Sequence, residues 1–468
     1  MRKQLKALLM TVALVTLSTG LIGCNNEKKQ QQTTTQVETT ENKVENNIEF
    51  KSDGEPVKDD SVLGKNTYVF SPTDNKDEIQ EKVSQIFARQ ESNQFGDERY
   101  ALLFKPGDYG TSLEINVGFY TQVLGLGILP TDTNINKLWV NADWMFHNAT
   151  CNFWRSAENF SVNDYCMWAN SQAVSLRRVN FNDGIVLSDG EGWSSGGFMA
   201  DCKVEKMVSS GSQQQYLFRN NNWGYFENGV WNMVFTGVNV DTIPTGGWPY
   251  EPYTKEETVP KIQEKPYLVY DEDNGYGVMV PEKRTECQGI SWENGVKGTF
   301  YSLNMFYVAD AQKDNADTIN KALKEGKNLL LTPGIYTLDK PITVEEKDTI
   351  IYGMGLATLV STNGNACMVT SDADGIKVCG VLFEAGDKQS ETLLKVGNEK
   401  AEVSHSDNPI CFSDVYFRVG GANYKGKVKN CVTINSNDVI GDNFWVWRAD
   451  HGDNVGWDMN TAPNGIVI

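Results

Sequence analysis

The sequence predicts an all-β chain of two tandem parallel β-helices, each opened by a short capping helix. Three observations carry that prediction. Short β-type runs recur roughly every 20 residues, the spacing of one solenoid rung per coil. A set order of short helix, Pro-Gly-x-Tyr strand and Gly-x-Gly strand occurs twice. Between these sets the apolar residues follow strand-and-turn punctuation, with no helical period.

Taken from the N-terminus, the chain begins with a targeting segment. Arg2, Lys3 and Lys6 precede an apolar run from Ala7 to Leu17 that is too short to span a membrane well. Leu21, Ile22, Gly23 and Cys24 follow, similar to the lipobox of bacterial lipoproteins. Residues 1–24 are read as a lipoprotein signal peptide and Cys24 as the lipidation site. The expected location is the extracellular face of the cytoplasmic membrane, held by at least two acyl chains because one is marginal. Residues 25–64 are strongly polar and cannot offset their ordering entropy, so a disordered tether is expected.

The first β-helix is expected over 65–250. Ile79, Val83, Ile86 and Phe87 lie at helical spacing within 77–89. A strand over 100–109 ends in Pro106, Gly107 and Tyr109, and one over 120–127 ends in Gly125 and Gly127. The second β-helix, over 305–468, repeats the set: a helix at 317–324, a strand ending in Pro333, Gly334 and Tyr336, and another ending in Gly353 and Gly355. Pro106 precedes Gly125 by 19 residues and Pro333 precedes Gly353 by 20, so the halves read as an internal duplication. The charged, Pro-bearing stretch 251–304 is expected as an extended connector. Residues 462–468 form a fresh apolar strand without a polar cap, so the second helix reads as truncated.

The 468 residues carry 42 basic and 61 acidic side chains, a net charge of −19. That balance excludes a basic nucleic-acid face and disfavours an anionic polysaccharide. Of nine cysteines, Cys24 is assigned to lipid; the other eight are expected mostly as buried, unpaired thiols, which pack as small hydrophobes. No zinc spacing or CxxC occurs, and no metal or cofactor is expected.

The short helix followed by a Pro-Gly-x-Tyr strand resembles the start of pectate-lyase-like right-handed parallel β-helices. Two such units in tandem are similar to glycoside hydrolase family 55, the exo-acting β-1,3-glucanases, whose site lies between the helices. The runs 166–179, 192–201, 210–220, 229–238 and 445–452 resemble bacterial two-β-helix proteins that carry the labels "adenylyl cyclase" or "discoidin-domain protein". The chain shows no paired metal aspartates and no phosphate-cradling loop, so nucleotide cyclisation is not expected.

Residues 187–237 gather the polar and aromatic groups that suit a sugar surface. Amides bond hydroxyls in both directions and an indole covers a pyranose face. Trp193, Gln213, Gln215, Trp223 and Trp231 are the binding candidates there, with Arg177 and Arg448 as further contacts. Gln213 and Gln215 share one strand face, and Arg177 and Arg178 straddle a strand, so one arginine points outward. Glycoside hydrolysis needs a carboxylic acid and a second carboxylate. Glu384, between Phe383 and Ala385 at a rung turn, is the expected acid, and Asp450, near Arg448, the expected base or sugar clamp. Asp189, Glu191 and Asp201 flank the tryptophans as weaker candidates. The reading is a monomeric glycoside hydrolase on a neutral glucan; a non-catalytic glycan-binding lipoprotein and a polysaccharide lyase are the alternatives.

Overall fold

A computed structural model describes residues 46–468 apart from 191, 229–231, 244–252, 398 and 402. The Cys24 lipidation site therefore lies outside the described residues, as do Glu191 and Trp231. The fold is two right-handed parallel β-helices in tandem. A 17-stranded sheet system winds through the first, and parallel sheets of seven and five strands form the second.

Both halves open in the same way. Helix α1 (Lys76–Gln90) is capped by Asn75, whose side chain accepts from the amides of Asp77 and Glu78. Helix α2 (Ala316–Lys324) is capped by Asn315, which accepts from Asp317 and Thr318. Each side chain satisfies amides that a helix start leaves free. Ile79, Val83 and Ile86 of α1 close the first core, and Ile319 and Leu323 of α2 close the second. The Pro-Gly-x-Tyr motif has one physical purpose in both copies. Tyr109 donates its hydroxyl proton within reach of the carbonyls of Phe70 (2.8 Å) and Lys105 (2.9 Å). Tyr336 faces Ala309 (2.8 Å) and Thr332 (3.0 Å) in the same manner. Each tyrosine ties the strand before the helix to the strand after it.

Strand alternation then packs the two solenoids side by side. In Tyr100–Phe104, Tyr100, Leu102 and Phe104 fill the first core, while Ala101 and Leu103 face outward into a shared apolar layer. From the second solenoid, Leu329 and Leu331 point inward and Leu330 joins that layer, with Ile350 and Tyr352.

Residues 25–45 of the expected tether lie outside the described residues, its remainder is ordered, and the extended connector is built of paired strands. Asn47–Lys51 is a strand paired in parallel with Lys297–Ser302, and Leu63 is fully buried in the shared layer. Val259–Gln263 pairs antiparallel with Lys283–Cys287, and Tyr267–Asp271 with Gly275–Pro281. In the strands Tyr267–Asp271 and Gly275–Pro281 one face, with Tyr267, Val269 and Met279, packs against Trp292 and Phe300. The other face supplies Leu268, Tyr276 and Val278 to the layer between the solenoids.

Candidate functional site

Two adjoining grooves of 430 and 380 Å³ share Gln172 and Trp445 and form one cleft between the solenoids. The first solenoid supplies residues at the starts of successive rungs: Gln172, Ser195, Gln215 and Asn232. Gln172 donates through Nε2 to the Ser195 carbonyl (2.6 Å), and Gln215 donates to the same carbonyl (3.0 Å). The amide row is thus held by its own backbone bonds, with hydroxyl and amide groups left along the cleft wall.

The second solenoid supplies the opposite wall from the strand Val439–Arg448 and the turn after it. Asn443, Trp445 and Trp447 alternate onto the cleft side, while Phe444 and Val446 pack against the second core. The Trp445 and Trp447 rings stack at 5.2 Å, and Phe153 of the first solenoid meets Trp445 at 4.8 Å. Asp450 and His451 follow, with Asp450 Oδ1 accepting from His451 Nδ1 at 2.6 Å. Gln94 Nε2 lies 2.6 Å from His451 Nε2; the amide donates there, which places the ring proton on Nδ1, toward Asp450. Asp450 is the one carboxylate among the described residues that line this cleft.

The sequence-derived candidates fall into two groups. Gln215 and Asp450 line the cleft. Trp193 is exposed on a neighbouring loop. The others serve the framework. Gln213 is fully buried, accepting from the Gly196 amide and donating to the carbonyls of Asn170 and Leu187. It does not share a face with Gln215, because the regular strand begins only at Gln215. Trp223 packs against Phe218, Phe226 and Phe235 and donates to Thr242 Oγ1. Arg448 donates to the carbonyls of Gly456, Trp457 and Asn460, so it braces a loop and does not pair with Asp450. Asp189 accepts from the buried Ala142 amide and lies 3.2 Å from His147. With Asp143 they gather ligand atoms within 4.8 Å of one another, outside the cleft lining.

Glu384 and Asp450 do not share a cavity. Glu384 is 2 % exposed and accepts from Arg418 Nη2 at 2.7 Å. That ion pair is not the apolar, unpartnered setting expected for an acid.

Arg177 and Arg178 are both buried, against the expectation that one faces out. The strand Val174–Phe181 turns a corner at Arg178, where φ is +53°, so strict alternation stops there. Asn159, Arg178, Asp201 and Asn220 occupy left-handed conformations in adjacent rungs, stacking the corners of the first solenoid. Asp201 is pushed up to about 6 by burial and by Glu264, against the pull of Arg178. Arg177 instead crosses to the second solenoid, bonding Asp414 (Nη2 to Oδ1, 2.8 Å) and Asp442 (Nη1 to Oδ2, 2.7 Å). Arg219 bonds Asp442 and Glu264, and Lys265 pairs with Glu158 and Asp414. The described cysteines, Cys151 through Cys431, are unpaired.

Gln172, Ser195, Trp445, Trp447 and His451 were missed as site residues. The alternating tryptophans at 445 and 447 carried a readable signal, since residues two apart in a strand share a face. Gln172 and Ser195 carried none, because only the rung register brings them together.

Fold and cleft together define a tandem β-helix protein with an amide- and indole-lined groove of the carbohydrate-handling type. Comparison with known proteins gives the family. Residues 306–468 match the model of the LAM55 pectate lyase-like domain. An exo-β-1,3-glucanase of Streptomyces sp. SirexAA-E is 46 % identical over 412 residues, covering 87 % of this chain and 67 % of that protein. The solved structure of a Streptomyces Lam55A protein superposes with a TM-score of 0.83 at 45 % identity, over 86 % of this chain and 73 % of that one. A variant of that protein in complex with glucose also gives 0.83 at 45 % identity, over 88 % and 75 %. The chain belongs to the family of this exo-β-1,3-glucanase, with the two-β-helix architecture of glycoside hydrolase family 55.

Proposed function

We propose that this protein is a glycoside hydrolase acting on β-1,3-linked glucan in the cleft between its two β-helices. The observation that carries the reading is the 46 % identity to an exo-β-1,3-glucanase over most of the chain. The cleft chemistry supports it. Trp445, backed by the buried Trp447, offers an apolar face for a pyranose ring, and Gln172, Gln215 and Ser195 offer donors and acceptors for hydroxyls. Asp450, aligned by His451, is the carboxylate placed to hold water or a sugar hydroxyl. A net charge of −19 suits a neutral polymer.

One observation favours a second reading, glucan binding without turnover. Hydrolysis uses two carboxyl groups, and among the described residues only Asp450 lines the cleft. Incubation with laminarin separates the two. Glucose release that falls at least about 100-fold in Asp450→Asn supports hydrolysis with Asp450 in the machinery. Retained laminarin binding with no released sugar supports the binding reading and overturns the first.

We further propose that the protein is anchored on the extracellular face of the cytoplasmic membrane through lipid on Cys24. The support is the run Leu21–Cys24 behind a short apolar segment. Palmitate labelling that persists in Cys24→Ala would sink this placement.

A further inference from the structure

Outside the cleft, a cavity of 260 Å³ is lined by Asp97, Thr337, Glu384, Arg418, Asn423 and Tyr424 among others. Its rim is closed by a bond between the halves, Asn423 Nδ2 to Asp97 Oδ1 at 2.7 Å. The ion pair of Glu384 and Arg418 forms its floor, and the two residues are 2 % and 1 % exposed. The pair is incomplete. Arg418 Nη2 serves Glu384 Oε2 and Nη1 serves the Tyr120 hydroxyl, but Glu384 Oε1 and Arg418 Nε have no partner. Buried groups of this kind are normally satisfied. The last torsion of a glutamate is soft, so a small turn of the carboxylate offers its free lone pairs to the cavity.

The charges select what can fill it. Asp97 and Glu384 are negative, Arg418 is positive, and the Arg99 guanidinium couples electrostatically to all three. A cation meets the Arg418 guanidinium and an anion meets the carboxylates of Asp97 and Glu384. A neutral molecule rich in both donors and acceptors meets no such penalty. The volume lies below that of drug-sized pockets, so the occupant is small. Tyr424 adds a half-buried ring at the wall.

We propose that this cavity binds one neutral monosaccharide, with sugar hydroxyls donating to Glu384 and Asp97. The site is separate from the cleft. Phe95 lies between them, packed beneath Gly421 on one side and stacked on Trp447 (6.2 Å) and edge-on to His451 (5.6 Å) on the other. The proposal does not depend on turnover in the cleft.

The test is a glucose soak of crystals of the full chain together with calorimetric titration of glucose, with glycerol as control. Glucose is expected in the cavity, against Glu384 and Tyr424. Calorimetric affinity is expected to fall at least about tenfold in Tyr424→Ala and Asn423→Ala, the loss of roughly one strong contact, and to survive in the cleft variant Trp445→Ala. Ordered water alone in the cavity of the soaked crystal overturns the proposal. So does glucose binding that Trp445→Ala abolishes and the two cavity variants leave unchanged.

Discussion

Asp414→Asn tests what holds the two solenoids together. The carboxylate accepts from Ser175 Oγ (3.0 Å), Arg177 Nη2 (2.8 Å) and Asn443 Nδ2 (2.8 Å), and pairs with Lys265 Nζ (2.9 Å). It therefore joins the first solenoid, the connector and the second solenoid. Burial opposes its charge, yet Arg177 and Lys265 hold the carboxyl well below the usual carboxylate range. Asparagine keeps one acceptor and turns an NH2 group toward two cations. Arg177 retains Asp442 and Lys265 retains Glu158, so neither is left alone. Breaking a buried pair outright costs about 3–5 kcal/mol; with these remaining partners the lower end, about 3 kcal/mol, is expected. Urea unfolding followed by tryptophan emission is the assay, because Trp154 and Trp445 sit in the contact between the halves. The carboxyl is depressed in the folded state. Its stabilisation is therefore full above the unfolded value of about 3.9 and is lost only as pH falls below that, toward the folded value. The wild-type advantage should thus be constant from neutral pH down to about 5 and shrink in stronger acid. A loss below about 1 kcal/mol at neutral pH, the worth of an exposed pair, would refute the reasoning.

Further outcomes follow from other groups. Trp445→Ala should weaken laminarin binding by about 2 kcal/mol, as removal of a central aromatic contact does; unchanged retardation in affinity electrophoresis would remove this indole from the substrate path. Arg155 is fully buried over Phe119, its Nε and Nη1 have no partner, and burial pushes it down to about 9. Arg155→Met should therefore leave stability unchanged or raise it by about 1–4 kcal/mol in urea melts, whereas a clear loss would reveal a hidden partner. His405 bonds Asp374 (2.7 Å) and Asp372 (3.0 Å) through its two ring nitrogens. Burial lowers its pKa, but these carboxylates outweigh that and raise it. Its stabilisation is full below the unfolded value near 6.5 and is lost as pH rises through the raised folded value. Amide exchange over 404–408, corrected for intrinsic rate, should quicken above that value and lose this pH step in His405→Asn.

Much of the architecture was legible because it repeats. Two short helices, two Pro-Gly-x-Tyr turns and two glycine-ended strands at nearly equal spacing leave few folds other than a duplicated solenoid. The ordered segment Asn47–Lys51 and the strands of the connector were not legible. The first has few apolar residues and the connector strands have short apolar runs with no period of their own, and both are stabilised by surfaces that exist only after folding. The cleft was partly legible. Asp450 and Gln215, selected by residue type, line it, but type alone also selected Trp223 and Gln213, which complete the interior.

By itself the sequence determined the class, the duplication and the two opening helices, since these rest on local propensity and a repeated pattern. Tertiary structure decided which side chains meet. Arg177 and Asp414 are 237 residues apart, Glu384 and Arg418 are 34 apart, and Gln172 meets Trp445 only across two solenoids. Such pairings depend on rung register and on left-handed corners such as Arg178, where one residue's φ redirects every side chain after it. No local propensity encodes that choice, because it is fixed by the packing of one solenoid against the other.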